Sequence, residues 1–411
     1  MADSNRQPYK PINRRNYSSS YSSSSHSNYT KPRRPNYPHH SNPNSNRSAI
    51  TSSNSSRNYT ELDNQDFPTL VGTCPFMCPV EERERREWLR DLAVFERIHG
   101  DPARTSPTLA VKKFCRTISS KDVKASDVRP VPVLEETLDY LLSLLHSSDL
   151  PFEVVHDFIF DRIRSIRQDL SMQNVVSDQV IHMYERMVKF HIISYYHLRK
   201  SGGTPAAASL SHLNLEQLMK VLTTLFNLYE AHRAAHSVCR NEAEFYSFYL
   251  LLHLGSHNQG EPLSLWFRRI PSGIMKSKEI CFARALLRCY RLGNYRRFIN
   301  ITEKEASFLQ NCLIEPYINE ARVLALSCIS YGGYKLQPYP LVYLSKLLMM
   351  KESEVESLCI DCGLEISDGE TGKGLISTKE LVIVKQSRGF QKYYPIHSER
   401  IERLFTEMSD V

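Results

Sequence analysis

The sequence predicts a mainly α-helical protein with a disordered N-terminal tail and a small mixed helix-and-strand unit near its C-terminal end. Three observations lead to this prediction: a Ser-, Asn- and Arg-rich opening that is poor in aliphatic residues, a long region of helical hydrophobic spacing, and a late segment in which Ile and Val alternate with polar residues. The 411 residues are enough for an extended buried core.

Residues 1–66 are predicted to form a disordered tail, because they cannot bury enough apolar surface to offset the entropy of the chain. Residues 1–60 carry nine Lys or Arg against one Asp, whereas the rest of the chain carries 43 basic and 44 acidic residues. Tyrosines alternate with arginines here, a mixture that can stack on bases and neutralise phosphates. A solubilising or phosphorylatable Ser-rich leader is an equally good interpretation.

Residues 67–335 show the three- and four-residue apolar spacing of α-helices, and we expect about nine or ten helices there. The spacing is clearest on one stripe, which we expect to be buried: Phe152, Val155, Ile159, Ile163, Ile166 and Leu170. Short Gly- and Pro-containing breaks separate the helices, which favours antiparallel hairpins stacked into a solenoid-like superhelix. Three residue pairs match capping boxes at helix starts: Asn241 with Glu244, Thr302 with Glu305, and Ser353 with Glu356.

Residues 336–411 change pattern. An apolar helix at 341–350 precedes a second short helix that ends at Gly363, since glycine commonly terminates helices. The strand LEIS, the Gly-rich turn DGETGKG and the alternating strand LISTKELVIVK follow. This order is that of a winged helix, and a last helix at 399–408 is expected to pack on its outside.

Nothing in the sequence indicates that the protein is secreted or inserted into a membrane. The polar start lacks the apolar core of a signal peptide, and no run approaches the ~20 apolar residues that cross a bilayer. The ten cysteines are scattered and mostly fall within apolar helical patterns, which suits reduced thiols in the cytosol or nucleus. We therefore expect an intracellular protein without structural disulfides.

No catalytic or cofactor site is predicted. The pairs Cys74/Cys78 and Cys359/Cys362 have no second ligand pair at usable spacing for zinc, so buried packing is expected for both. The segment GETGKG has the wrong glycine spacing for a phosphate loop, and a strand rather than a helix follows it. The prediction is a protein that is not an enzyme, without metal, cofactor or small-molecule substrate.

Arginine clusters are the remaining candidates for binding. Two clusters are interleaved with Glu or Asp, which favours intrachain ion pairs over ligand contact: Arg83, Arg85 and Arg86, and Arg162, Arg164 and Arg167. The other two adjoin aromatic residues at loop edges, which suits single-stranded nucleic acid: Arg268 and Arg269 after Trp266-Phe267, and Arg296 and Arg297 after Tyr295. For these last four, packing or solvation is an equal alternative to RNA contact.

Several ordered sequence blocks carry a family resemblance. The Cys/Pro-rich opening loop and the charged helix after it supply Gly72, Cys74, Met77, Cys78, Pro79, Glu82 and Arg86. A block at 129–141 follows, and the most specific block, at 158–169, contains Asp161, Arg162, Arg164, Arg167 and Asp169. Together these blocks resemble the GANP-type (Sac-three) family of nuclear mRNA-export scaffolds over roughly residues 68–405.

The resemblance implies a TPR-like, right-handed helical-repeat superhelix that ends in a PCI-type winged helix. It also implies a scaffold subunit of a TREX-two-like complex, located in the nucleus. Such members pair through the winged helix with a PCI-domain protein and a small acidic disordered subunit, present a basic surface to RNA, and dock messenger particles at the nuclear pore. The apolar residues of the first winged-helix helix are expected to divide between core and partner interface: Leu341, Leu344, Leu347 and Leu348.

The chain departs from the large members of this family in two ways. It has no Phe-Gly repeats in its tail, and it ends soon after the winged helix, whereas the large members continue into a region that binds centrin and pore-anchoring proteins. Binding of centrin and of nuclear pore proteins is therefore a secondary expectation. Short members are also associated with the centrosome and spindle, so a protein-only scaffold acting there in mitosis is the main alternative.

Overall fold

The described part of the chain contains fourteen α-helices, three short 3-10 helices and three short strands, joined by loops. The computed structural model describes residues 70–117, 123–147, 149–200, 205–234, 239–255, 263–333, 337–369, 372–378 and 394–409. The helices are α1 Val80–Trp88, α2 Val131–Ser147, α3 Phe152–Gln173, α4 Asp178–Lys200, α5 Pro205–Ala234, α6 Glu242–Leu252, α7 Leu263–Arg269, α8 Ser272–Met275, α9 Lys278–Arg291, α10 Tyr295–Glu305, α11 Phe308–Gly332, α12 Leu341–Leu348, α13 Glu352–Asp361 and α14 Glu399–Ser409. The predicted mainly helical fold is confirmed, while the tail at 1–66 lies outside the described residues.

Helices that follow one another along the chain pack together, as their short loops predict. Contacts join α2 to α3, α3 to α4, α4 to α5, α9 to α10 and α10 to α11. In addition, α11 packs against α4 and α6, and α6 packs against α9. The superhelical path of these hairpins stays a prediction. None of the described helices is both long and apolar enough to cross a membrane.

The predicted apolar stripe of α3 is buried between α2 and α4. Its half-buried first residue is Phe152, and its fully or nearly fully buried residues are Val155, Ile159, Ile163, Ile166 and Leu170. Full burial of an aliphatic side chain contributes about 1.5–3 kcal/mol. The stripe is therefore a large part of what holds α2, α3 and α4 together.

Two predicted capping boxes in the helical region are wrong. Asn241 has helical backbone angles, and its side chain donates to Glu185 at 3.0 Å instead of capping α6. Thr302 lies inside α10, where its hydroxyl donates to the carbonyl of Phe298 at 2.9 Å. The box that opens the next helix is formed by Ser307 and the residue three positions on, Gln310. Residue pairs three apart also occur within helices, which is why the spacing alone misplaced the start at Thr302, whereas α6 does begin directly after Asn241.

The third predicted box is displaced by two residues. Ser353 is already inside α13, and Lys351 precedes the helix. The backbone N–H of Lys351 donates to the side chain of Glu354 at 3.1 Å. The acidic residue that reaches back to the helix start is therefore Glu354 rather than Glu356.

The C-terminal unit contains a three-stranded antiparallel sheet with the order β1-β3-β2. Its strands are β1 Tyr339–Pro340, β2 Ile366–Gly369 and β3 Gly372–Leu375. Along the chain α12 and α13 precede β2 and β3, in the predicted order of helix, helix, strand and strand, while β1 before α12 was not predicted. The winged-helix and PCI-type assignments stay predictions.

The Gly-rich segment is not all turn, which corrects the sequence prediction. Asp368 pairs with Lys373 and Gly369 pairs with Gly372, so most of the segment forms the paired ends of β2 and β3. Glycine adopts extended backbone as readily as turn backbone, and composition alone could not separate the two. Most of the predicted strand after Leu375 lies outside the described residues.

A buried arginine joins the C-terminal unit to α11. Arg322 is fully buried, and its guanidinium donates to carbonyl oxygens at the end of α12 and just before α14. The acceptors are Leu348 at 3.1 Å, Met349 at 3.1 Å, Tyr394 at 2.6 Å and Pro395 at 3.0 Å. Helix α14 in turn contacts α10 and α11 of the helical region, whereas its expected position on the outside of the winged helix stays a prediction.

Candidate interaction surfaces and the buried signature network

Arg162 of the most specific sequence block takes part in a buried ionic network centred on Glu96. The carboxylate of Glu96 accepts hydrogen bonds from the guanidinium groups of Arg86 and Arg162, the latter at 3.1 Å. It also accepts from the backbone N–H groups of Ala93 and Val111, at 2.9 and 3.0 Å. Burial alone would raise the pKa of Glu96, but the charges of Arg162 and Arg86 hold that pKa below its usual value. The ionised carboxylate therefore locks the segment after α1 onto α3.

A second centre of the network is Asp169, which is also fully buried. Its carboxylate accepts from Lys112 at 2.6 Å and from the guanidinium of Arg129 at 2.7 Å. Arg129 donates further to the hydroxyl of Ser165 at 2.9 Å and to the carbonyl of Met77 at 3.2 Å. The opening loop, the segment before α2 and the middle of α3 are thus joined by one set of buried hydrogen bonds.

The opening glycine is required by a close backbone approach. A Cβ at Gly72 would lie 2.6 Å from the carbonyl oxygen of Val128, which no side chain could accommodate without movement. The N–H of Gly72 donates to the side chain of Gln173 at 3.2 Å, and the N–H of Cys74 donates to Val128 at 3.0 Å. Gly72 is therefore an architectural residue.

The remaining residues of that block have different surroundings. Asp161 accepts from the guanidinium of Arg162 and from the N–H of Phe114. Arg164 stacks over the ring of Phe114, with its Cζ 3.9 Å from the ring centroid. Arg167 donates to Gln217 at 3.0 Å, and burial lowers its pKa. The predicted ion pairs are confirmed for Arg86 and Arg162, but not for Arg164 and Arg167.

The cysteine pairs are packed as expected. Cys74, Cys78 and Cys359 are buried and Cys362 is half-buried. Burial raises the pKa of the Cys78 thiol to about 12, which keeps it protonated and poorly reactive. Pro79, also buried, directly precedes α1. Within the described ranges, no group of three or more His, Cys, Asp or Glu side chains is arranged to hold a metal ion.

The first pair of RNA-contact candidates ends α7. Arg268 and Arg269 are exposed in its last turn, where cations are favoured by the helix dipole. The neighbouring Trp266 is not available for stacking on bases, because it is buried against Tyr249 with ring centroids 4.5 Å apart. Phe267 is half-buried, with a guanidinium from α9 lying 5.6 Å from its ring centroid. The predicted aromatic partner of this pair is thus only partly present.

The second pair occupies the first turn of α10. Asn294 caps this helix by accepting from the N–H of Arg297 at 3.1 Å, so Arg296 and Arg297 are its second and third residues. Both are exposed, and neither forms an ion pair within the part of the chain that the structure describes. Tyr295 is half-buried beside them. Whether either pair contacts RNA stays a prediction.

Three of the four candidate interface leucines lie on the core side of the expected division between core and interface. Leu341 is 1% exposed, while Leu344 and Leu348 are fully buried, so a partner cannot reach them. Leu347 is half-buried. The exposed apolar residues of α12 are instead Val342 and Tyr343, at 41% and 60% exposure. Helical spacing identified the apolar residues of this helix but could not show which of its faces meets α13 and the sheet.

The chain belongs to the SAC3/GANP family. The sequence model of that family matches residues 77–368, which include the signature network, α2 to α13 and most of β2. The match confirms the family resemblance of the sequence blocks. Members of this family act as scaffolds connected with nuclear mRNA export.

Three curated relatives support the assignment. The chain is 36% identical to SAC3 family protein B of Arabidopsis thaliana over 309 residues, covering 72% of this chain and 18% of the relative. It is 30% identical to SAC3 family protein 1 of Schizosaccharomyces pombe, covering 73% and 30%, and 27% identical to Protein xmas of Drosophila melanogaster, covering 76% and 15%. The matched region therefore spans less than a third of each relative.

Proposed function

We propose that the protein is a non-enzymatic scaffold subunit of a TREX-two-like complex that supports nuclear mRNA export. In this proposal it binds RNA through exposed arginines, and a PCI-domain protein with its small acidic subunit through the C-terminal unit. Docking of messenger particles at the nuclear pore belongs to the same proposal. Family membership supports the general role, and the arrangement of arginines on α10 supports RNA binding.

The observation that carries RNA binding is the position of Arg296 and Arg297. Cations in the first turn of a helix are opposed by the helix dipole, at a cost of about 0.3–1 kcal/mol each. No carboxylate in the described ranges forms an ion pair with either guanidinium. An anionic ligand such as the RNA backbone would offset this cost. Arg268 and Arg269, in contrast, lie in the last turn of α7, where the helix dipole already favours cations.

Salt dependence of RNA binding tests this proposal. The intact chain should bind fluorescein-labelled oligouridine at low salt, and Arg296→Gln with Arg297→Gln should reduce the slope of log K against log salt by about 1.4, because two phosphate contacts are lost. The variant Lys304→Gln, in the last turn of the same helix, is the matched control. An unchanged slope for the double variant, or no RNA binding by the intact chain, would reject this half of the proposal.

The exposed face of α12 is the proposed contact for the PCI-domain partner. Val342, Tyr343 and Lys346 are exposed on it, beside the half-buried Leu347. Aromatic residues on a surface helix are frequent anchors of protein interfaces. Since the core leucines of α12 are inaccessible, these residues replace them in the proposal.

Co-purification from nuclear extract tests the partner. The tagged chain should recover a PCI-domain protein and a small acidic protein, as identified by mass spectrometry, and Tyr343→Asp should lose both without a change in melting temperature. Lys304→Gln, an exposed position on α10 outside this face, serves as the control. Recovery of centrosomal proteins instead, with localisation to the spindle in dividing cells, would favour the protein-only scaffold.

A further inference from the structure

An apolar strip runs along the last turns of α11 and onto the loop after α9. Leu324, Cys328 and Tyr331 follow one another at steps of four and three, so they share one face of the helix. Leu324 and Tyr331 are 40% and 56% exposed, and Cys328 is exposed as well. Leu292 is 70% exposed and directly precedes Gly293, where a Cβ would come within 3.3 Å of the Leu324 side chain. These four residues, Leu292, Leu324, Cys328 and Tyr331, form what we term the α11 strip.

The strip is held in place by contacts between α9 and α11. The hydroxyl of Tyr290 donates to the carboxylate of Glu320, one turn before Leu324. The ring of Tyr290 also packs edge-on against Tyr317, with centroids 5.3 Å apart. A surface that is already ordered loses little conformational entropy when a partner binds.

Uncompensated positive charge borders the strip. Arg288 and Arg291 are exposed in the last turn of α9, immediately before Leu292. Neither forms an ion pair within the described residues. The dipole at the end of α9 accounts for cations there, but it does not account for aliphatic side chains exposed beside them. Exposed arginines beside an exposed apolar strip indicate a ligand that carries both negative charge and apolar groups.

Charge and chemistry select among the candidate occupants. The tail of the chain is strongly basic, with nine Lys or Arg against one Asp in residues 1–60, and a second copy would bring its own arginines, so both would be repelled. RNA supplies negative charge but no aliphatic surface, and its interfaces with proteins are polar. We propose that the α11 strip docks an acidic segment of another protein that carries large apolar side chains. This docking goes beyond the proposed contacts with RNA and with the PCI-domain partner.

A designed peptide tests the proposal on the full chain. The probe is a fluorescein-labelled amphipathic peptide of about 20 residues, long enough to form a helix, with leucines on one face and glutamates on the other. A matched peptide with lysine in place of glutamate is the control ligand. The acidic peptide should bind with higher affinity than the basic one, and it should slow maleimide labelling of Cys328 in a background carrying Cys115→Ser and Cys281→Ser.

Two variants separate the apolar from the charged contribution to the affinity for the acidic peptide. Arg288→Glu with Arg291→Glu, and separately Leu324→Ser, should each weaken binding of the acidic peptide by about tenfold or more at unchanged melting temperature. Equal binding of the two peptides, or binding that neither variant weakens, would overturn the proposal. Protection of Cys328 by oligouridine but not by the acidic peptide would assign the strip to RNA and overturn it too. The variant Arg268→Gln with Arg269→Gln, which removes two exposed arginines from α7, should leave peptide binding intact and controls for the loss of net positive charge.

Discussion

At the scale of single residues, the family signature is explained by burial rather than by chemistry on a substrate. Glu96 and Asp169 are each fully buried carboxylates that accept from two cationic side chains. Breaking a buried ion pair by removing one partner leaves an uncompensated charge in a medium of low dielectric constant. These residues should therefore control stability much more than they control binding.

Replacing Glu96 tests the ionic network. Glu96→Gln keeps the shape of the side chain but leaves Arg86 and Arg162 without their carboxylate, so the free energy of unfolding should fall by about 3–5 kcal/mol. Urea denaturation measures it. The control is Asp91→Asn, which removes an exposed pair with Lys113 and should cost no more than about 1 kcal/mol. Similar losses for the two variants would contradict the role assigned to Glu96.

Replacing Gly72 tests the close approach of the opening loop. Gly72→Ala should lower the free energy of unfolding by about 1–3 kcal/mol, because its Cβ would overlap the carbonyl of Val128. Gly273→Ala is the matched control, since a Cβ there meets nothing within 4 Å. Thermal melts of both variants give the comparison, and equal melting temperatures would argue against the packing described for the opening loop.

At the scale of elements, α3, α4 and α5 meet at a buried amide between two histidines. The Asn214 side-chain oxygen accepts from His191 at 2.7 Å and from His156 at 3.3 Å. Both imidazoles are fully buried, and burial lowers the pKa of His156 and brings that of His191 to about 3. The packing of these three helices therefore depends on two histidines that stay neutral.

The consequence is a fall in stability with acid. The unfolded chain protonates these histidines below about pH 6.5 while the folded chain does not, so the unfolded state binds more protons and the free energy of unfolding falls as the pH drops. His191 alone should account for about 2 kcal/mol between pH 7 and pH 5. Urea denaturation at several pH values across this range measures the effect. The free energy of unfolding should fall less steeply with decreasing pH for His191→Gln than for the native chain. An identical slope would mean that His191 is protonated in the folded state.

An element could be predicted from the sequence where its pattern depends only on residues close together in the chain. The stripe of α3 is local, and its burial was predictable from apolar spacing. The burial of Glu96 and Lys112 could not be predicted from the sequence, because their partners lie on other elements. Lys112, for example, pairs with Asp169 of α3. The buried face of α12 could not be predicted from the sequence either, because it depends on where α13 and the sheet pack.

At the scale of the whole molecule, Arg322 joins the helical region to the C-terminal unit. Its donors are used on carbonyls of that unit, so a shorter or uncharged side chain would leave several buried acceptors unpaired. Arg322→Met should raise amide hydrogen exchange in α12, α13 and the three strands, while α2 to α4 stay protected. The control Lys346→Gln should change neither. Uniform exchange throughout the molecule would show that the two regions unfold as one unit.

The proposed function is that of a scaffold for nuclear mRNA export, in which arginines of α10 contact RNA and an aromatic face of α12 contacts a protein partner. The most direct test measures nuclear polyadenylated RNA by in situ hybridisation after depletion of the protein and re-expression of variants. Depletion should cause nuclear accumulation of this RNA, with rescue by the native chain and by Lys304→Gln, and poor rescue by Tyr343→Asp or by Arg296→Gln with Arg297→Gln. An unchanged RNA distribution after depletion, or full rescue by both of the interface variants, would contradict it.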